Sequence, residues 1–277
     1  MHDVFGDDML MVNMPDGDIL NDFNNFGEFE NAFNIFDSLG NTYKQEPLLL
    51  KSKISNQQKP LVITEGKTDW KHLKAALNYF KSVGEYIDLD IEFLEDTETR
   101  GDSVLEAMLD SSRRLPNQHH IIGVFDRDNP KYAKQYPNNF HALGNKVFAF
   151  CIPEPSHRVG YHNVSIEFYY TDEEIMKLLR CGTRLYFTNE FERSIVNKSG
   201  KEQTTFKVIT PSEDDFYKKI YDKDLETTLN KDKNPKIAHS KEVFATNVLD
   251  GEFREQFKFD EFRKIFDIIQ RISSNQN

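Results

Sequence analysis

Leu61-Val-Ile-Thr64 runs directly into Glu65-Gly-Lys-Thr-Asp69, and His120-Ile-Ile-Gly-Val-Phe125 runs directly into Asp126-Arg-Asp128. Each is a short apolar run that stops at acid. Runs of this length read as buried strands. A helix is predicted after the first, with Leu73, Ala76, Leu77 and Phe80 on one face. Asp90-Ile-Glu-Phe-Leu94 reads as a second strand. Gly101-Asp-Ser103 opens a second helix, with Val104, Leu105, Met108 and Leu109 inside. Lys146-Val-Phe-Ala-Phe-Cys-Ile152 is the fourth strand. Strands alternating with helices predict an α/β fold: a mostly parallel sheet flanked by helices on both faces.

In open α/β sheets, ligands gather beyond the carboxyl ends of the strands. Glu65 follows the first strand, and Gly66 allows a sharp turn and a close ligand approach. Asp126 and Asp128 follow the third strand. Residues i and i+2 of an extended segment face the same way, so both aspartates can address one point. If strands one and three are neighbours, Glu65 reaches that point too. Three crowded carboxylates repel unless protons or a cation neutralise them. Oxygen donors suit Mg²⁺ or Mn²⁺, one or two ions, and not zinc. A cation so held can polarise a phosphate and stabilise a leaving oxygen.

Val62-Ile-Thr-Glu-Gly-Lys-Thr-Asp69, followed by Gly123-Val-Phe-Asp-Arg-Asp128, resembles the TOPRIM signature of topoisomerases, bacterial primases and several nucleases. The resemblance covers about residues 59–155. It implies that Glu65, Asp126 and Asp128 bind a catalytic metal. Many members have a third aspartate two residues further on; here Pro130 stands in its place. That departure is closer to the overcoming-lysogenization-defect nucleases. Likeness to that branch adds Asp69, four residues after Glu65, as a ligand, although it can equally serve as a helix cap. It also adds a later acid, for which Glu167 in Ser165-Ile-Glu-Phe-Tyr169 is the candidate, with a strand-edge or surface carboxylate as the alternative. A late lysine completes the set: Lys241, with Lys236 as competitor. Lysine there would neutralise transition-state charge on phosphate.

The resemblance implies a metal-dependent nuclease acting on nucleic acid, DNA ahead of RNA. Related nucleases join an ATPase to this domain, and no Walker lysine loop is found in the sequence. Gly66-Lys-Thr68 lacks the upstream glycine, since position 61 is Leu. The likeness therefore implies an ATPase or other regulator in trans, as in effectors of phage defence. A topoisomerase would need a strand-passing domain, and a primase would bring a zinc module that two cysteines cannot build. The alternatives are a non-catalytic binding or regulatory subunit and a nucleotidyl-transfer or pyrophosphate-hydrolysing enzyme.

The rest of the 277 residues is organised around this core. Residues 1–50 form an acidic, Phe-rich segment. Residues 1–46 carry ten acids against one base, Lys44, which accounts for −9 of the net −11. The remaining body is close to neutral, so a polyanion is not excluded as a ligand. Phe23, Phe26, Phe29, Phe33 and Phe36 have helical spacing, which fits a packed helix or a partner-docking segment. Residues 59–160 are predicted as the core, and 161–277 as its completion followed by an α-rich extension. There, Thr171-Asp-Glu-Glu174 is a capping box opening a helix with Ile175, Leu178 and Leu179. Leu185–Phe187 and Phe206–Ile209 are predicted to pair across Ser199-Gly200. Ser212-Glu-Asp-Asp215 looks like another helix start. Helices are predicted over 240–249 and 259–272, the last with a Phe259, Phe262, Phe266, Ile269, Ile272 stripe.

Two isolated cysteines, Cys151 and Cys181, argue for free thiols in a reduced, cytoplasmic setting. No apolar run is long enough to suggest a membrane span, and no signal-peptide pattern is seen. A homo-oligomer is compatible with the sequence. Among lesser candidates, Lys67 is a phosphate contact or a solvated charge. His157 and His162 flank Arg158 in a loop and are candidates for substrate contact. His119 and His120 point apart in a strand and chelate poorly. Arg113 and Arg114 close a helix, where positive charge is favoured.

Overall fold

The computed structural model describes residues 11–12, 19–20, 57–95, 101–137, 139–179, 182–198, 201–210, 215–222, 225–226, 236–250 and 257–274. The chain forms two compact units, 1–56 and 57–277. In the first, Met11–Val12 pairs antiparallel with Ile19–Leu20. The phenylalanine stripe of residues 23–36 lies outside the described residues, as does the helix start at 212–214.

The second unit is built on a five-stranded sheet. In chain order its strands are β1 (Leu61–Thr64), β2 (Glu92–Phe93), β3 (Ile121–Phe125), β4 (His141–Gly144) and β5 (Val147–Cys151). Their order across the sheet is β2-β1-β3-β5-β4. All neighbours are parallel except β4, which pairs antiparallel with β5 at one edge. Every residue of β1 and β3 is buried, as expected of strands covered on both faces. Sequence reading missed β4. His141-Ala-Leu-Gly144 is mostly exposed and has no apolar run to mark it. It is joined to β5 through Gly144, Asn145 and Lys146, all at positive φ.

Helix α1 (Asp69–Ser82) follows β1 and buries the predicted Leu73, Ala76, Leu77 and Phe80. Helix α2 (Asp102–Ser112) buries Leu105, Met108 and Leu109. Val104, predicted inside, is exposed. Gly123 explains how closely α2 lies on the sheet: a Cβ there would sit 2.4 Å from Leu109 Cδ1. Helix α3 (Pro130–Gln135) starts behind β3, with Asn129 as its N-cap and Pro130 at its first turn. Proline suits that position because the N–H it lacks has no helical partner there anyway.

Residues 161–277 do not stand apart from this layer. A single apolar core runs from Val62 and Phe150 through Phe168, Tyr170 and Phe244 to Phe266 and Ile272. The predicted capping box at Thr171 is present and opens only a short helix, α4 (Asp172–Ile175). Leu178, predicted to be buried with it, is exposed. The predicted hairpin is corrected. Leu185–Phe187 does not pair with Phe206–Ile209. Instead β6 (Tyr186–Phe187) pairs with β9 (Ile220–Tyr221), and β7 (Phe191–Lys198) pairs antiparallel with β8 (Lys201–Val208). A further short pair joins β10 (Leu225–Glu226) to β11 (Lys236–Ala238). The extension is therefore mixed, not simply α-rich.

Helices α5 (Lys241–Asp250) and α6 (Arg263–Ser274) lie where periodicity predicts them. The stripe on α6 and the 3₁₀ turn before it is core: Phe262, Phe266, Ile269 and Ile272 are fully buried, and Phe266 meets Phe80 edge-on at 5.7 Å. Each such side chain contributes on the order of 1.5–3 kcal/mol by leaving water. No helix among the described residues is long and apolar enough to cross a membrane.

Candidate metal centre

The parallel pairing of β1 with β3 brings the two acidic strand ends together. Thr64 is in register with Val124, and Glu65 N–H donates to Val124 O at 3.2 Å. Glu65 Oε2 then accepts the N–H of Asp126 at 3.2 Å. Glu65 and Asp126 are half-buried, and Asp128 is exposed. Between the two aspartates, Arg127 turns away, donating from Nε to Ile152 O and from Nη2 to Pro137 O. The alternation expected of extended backbone thus separates the acids from the base.

Asp69 is the first residue of α1 and is buried. Its Oδ2 accepts Gly66 N–H at 2.7 Å. A Cβ on Gly66 would lie 2.7 and 2.8 Å from the two Asp69 carboxylate oxygens. Glycine is needed here for the approach of the chain's own carboxylate, not for the turn proposed from sequence, because its φ is not positive.

Glu167 reaches the cluster by a route that the sequence does not display. Arg127 and Val164 form an antiparallel bridge, with Arg127 N–H donating to Val164 O at 2.8 Å. The chain then enters a 3₁₀ turn, Ile166–Tyr169. Glu167 is neither at a strand edge nor on the surface, the alternative raised above; it is fully buried. Its Oε2 accepts Ser165 Oγ–H at 2.6 Å and lies 3.0 Å from Lys241 Nζ. Lys241, at the start of α5, also reaches Ser165 Oγ at 3.4 Å. All five predicted acids and the predicted lysine are therefore drawn into one electrostatic neighbourhood.

The charges register their proximity. Burial and then the charge of Asp128 push the Glu65 carboxyl up to about 7, against the Asp126 N–H that favours its ionised form. Burial and the Glu167 charge push Asp69 up to about 6, with Lys241 opposing. Asp126 is raised well above the ordinary range by burial, then by Asp69 and Glu65. Partial desolvation of its carboxyl also raises Asp128, while Lys241 and Lys219 oppose. Burial alone would raise Glu167 as well, but the Lys241 ammonium outweighs it and holds the carboxyl low. Reciprocally, burial would lower Lys241, yet Glu167, Asp126 and Asp69 hold it above an ordinary lysine.

These residues fit a hard divalent cation in chemistry: every charged donor is a carboxylate oxygen, and Glu167 Oε1 is buried with no hydrogen-bond partner. The side chains as they stand do not form a closed shell. Among the described residues no three His, Cys, Asp or Glu side chains converge to hold a metal. Glu65 instead faces the Asp126 amide, Asp69 the Gly66 amide, and Glu167 faces Lys241 and Ser165.

Sequence reasoning missed Asp102 and His72. Asp102, in the first turn of α2, is close enough to raise the carboxyls of Glu65 and Asp128. Its only signal was a helix start. His72 is fully buried on α1; burial lowers it to about 4, and its Nδ1 lies 3.1 Å from Tyr170 Oη. Other candidates fall elsewhere. Lys67 pairs with Glu242 at 3.6 Å. Arg158 is buried, bonding Tyr170 O and Asp172, and His157 Nε2 contacts Tyr170 O at 3.2 Å. Arg113 and Arg114 pair with Asp110. His120 packs edge-on against Phe148. The Cys151 thiol donates to Asp126 O, and burial pushes it up to about 12, so it is inert. Cys181 and the Lys236 side chain lie outside the described residues. No family model, no curated protein and no solved structure matches this chain.

Proposed function

We propose that this protein is a Mg²⁺- or Mn²⁺-dependent nucleic-acid phosphodiesterase of TOPRIM type, with Glu65, Asp126 and Asp128 holding the metal. The observation that carries the reading is the Glu65–Asp126 contact at the ends of two adjacent parallel strands, with Asp69, Glu167 and Lys241 around it. A bound cation would supply Lewis-acid polarisation of the scissile phosphate. The residues do the rest. Glu65 and Asp126 anchor the site on rigid strand ends, and the exposed Asp128 meets the incoming strand. Asp69 and Glu167 extend the carboxylate wall on the buried side. Lys241 carries a permanent positive charge there, placed to offset charge developing on phosphate oxygens. The resemblance to the overcoming-lysogenization-defect nucleases suggests, as part of the same reading, an effector that works with an ATPase or other regulator, as in phage defence.

A second reading, a non-catalytic binding subunit, is favoured by one observation. Glu65, Asp69 and Glu167 each already have a protein donor, and no shell is closed among the described residues.

Cleavage of supercoiled plasmid and of structured RNA, with Mg²⁺, Mn²⁺ or EDTA, separates the two. Metal-dependent cutting that disappears in both Glu65→Gln and Asp126→Asn supports the nuclease. Cutting that survives both substitutions overturns the site. Folded protein that binds nucleic acid and never cuts, even with a cognate ATPase present, supports the binding subunit.

A further inference from the structure

Tyr217 and His162 form a stacked ring pair on the surface, with centroids 4.3 Å apart and planes 6° from parallel. His162 is exposed, Tyr217 is 67% exposed and the neighbouring Phe216 is 44% exposed. Phe216 in turn meets Tyr161 edge-on at 5.3 Å. Aromatic rings normally bury their area, and a cluster of them left in water is a candidate contact surface.

Its position ties it to the acidic cluster. The Arg127–Val164 bridge is flanked directly by Asp128 on one strand and Asn163 on the other. Asn163 Nδ2 donates to Tyr217 O at 2.8 Å, and His162 N–H donates to Phe216 O at 3.0 Å. The loop bearing the rings is therefore stitched to the segment beside Asp128. Lys219, two residues past Tyr217, is exposed and close enough for its charge to act on Asp128. The loop is also held from below: Asp215 accepts the Tyr217 N–H at 2.9 Å and Asn189 Nδ2 at 2.8 Å. Rings fixed before a ligand arrives lose little entropy on binding it.

We propose that His162, Phe216 and Tyr217, with Lys219, form a platform on which unpaired bases of a single-stranded nucleic acid stack as the strand passes to Asp128. The substrate class rests on the proposed function; the platform names the form of that substrate. Every base offers a π-face, so stacking tolerates any sequence, and a cation beside the rings follows the phosphates. A duplex hides those faces between its own base pairs. The surface consists of flat rings, two of them with polar edges, and a lysine two residues on, which fits a strand better than an apolar helix of a protein partner.

The test is fluorescence anisotropy of the full chain with labelled oligothymidylate and oligouridylate of about 15 nucleotides, and with a duplex of equal length. EDTA is present throughout, so nothing is cut. We expect single strands to bind more tightly than duplex. Tyr217→Ala should weaken single-strand binding about tenfold, Tyr217→Phe should retain it, and His162→Ala should weaken it less. Thermal melts check that each variant is folded. Single-strand binding unchanged in Tyr217→Ala, tighter binding of duplex, or no binding of any strand overturns the platform. The two readings fail separately. Selective binding without metal-dependent cutting, even with a cognate ATPase present, removes the nuclease and leaves the platform. Cutting lost in Glu65→Gln, with Tyr217→Ala binding and cutting like the unaltered protein, removes the platform and leaves the nuclease.

Discussion

Lys241 Nζ lies 3.0 Å from Oε2 of Glu167, a carboxylate with no exposed surface. Removing one partner of such a pair strands a charge in a poorly solvated place. Lys241→Met should therefore destabilise the fold by about 3 kcal/mol. The double variant Lys241→Met/Glu167→Gln should recover most of that loss, because no lone charge remains. Urea unfolding of the two singles and the double checks this. Strictly additive losses would mean that the pair is not coupled.

The carboxylate cluster should cost stability when no cation is present. Burial and mutual repulsion hold Glu65, Asp69 and Asp126 out of their comfortable ionised state. In EDTA at pH 8, Asp126→Asn should melt at a higher temperature than the unaltered protein. Adding Mg²⁺ should stabilise the unaltered protein, by about 2.7 kcal/mol at a hundred times its Kd, and leave the variant nearly unmoved. Calorimetry with and without Mg²⁺ measures both. A variant that melts lower in EDTA would refute the strain.

Two glycines should prove intolerant for different reasons. Gly66→Ala drives a methyl against the Asp69 carboxylate at 2.7 Å and breaks its tie to the Gly66 amide. It should lower Mg²⁺ affinity more than stability if Asp69 is a ligand. Gly123→Ala meets Leu109 Cδ1 at 2.4 Å and is a packing fault, costing about 1–3 kcal/mol. Leu109→Ala should partly relieve Gly123→Ala and do nothing for Gly66→Ala. Isothermal titration and unfolding curves separate the two effects.

Acid should weaken the Arg158–Asp172 tie. Burial alone would raise the Asp172 carboxyl, but Lys218 and Arg158 outweigh it and hold it below its usual value. A depressed folded value means that the stabilisation is present above the unfolded pKa of about 3.9 and is lost as pH falls through the folded one. The melting-temperature gap between the unaltered protein and Asp172→Asn should be widest near neutrality and close towards pH 2. A gap independent of pH would contradict the assignment. Arg158→Met, which also takes one donor from Tyr170 O, should cost about 3 kcal/mol near neutrality and less towards pH 2.

Much of the core was legible in the chain. Leu61–Thr64 and Ile121–Phe125 declare themselves as buried strands through unbroken apolar runs, and the places of Glu65, Asp126 and Asp128 at the strand ends are legible because the apolar runs stop there. Phe262, Phe266, Ile269 and Ile272 show their helix by spacing alone. The failures share a cause. His141–Gly144 forms an exposed edge strand whose pattern carries no apolar signal. Tyr186–Phe187 finds Ile220–Tyr221 instead of the nearer segment. Pairing across a long loop depends on which surfaces remain open once the core has closed.

By itself, then, the sequence determined the local elements and the acids at their ends, because strand and helix periodicity act between near neighbours. Tertiary structure alone decided that β1 lies beside β3, that Glu167 is buried instead of exposed, and that Lys241 meets it. Those outcomes rest on the Arg127–Val164 bridge and on α5 lying against α1, where Lys71 bonds Glu242 and Thr246. Such contacts join residues far apart in the chain. The chain entropy spent in closing those loops is repaid only by packing, which local patterns do not encode.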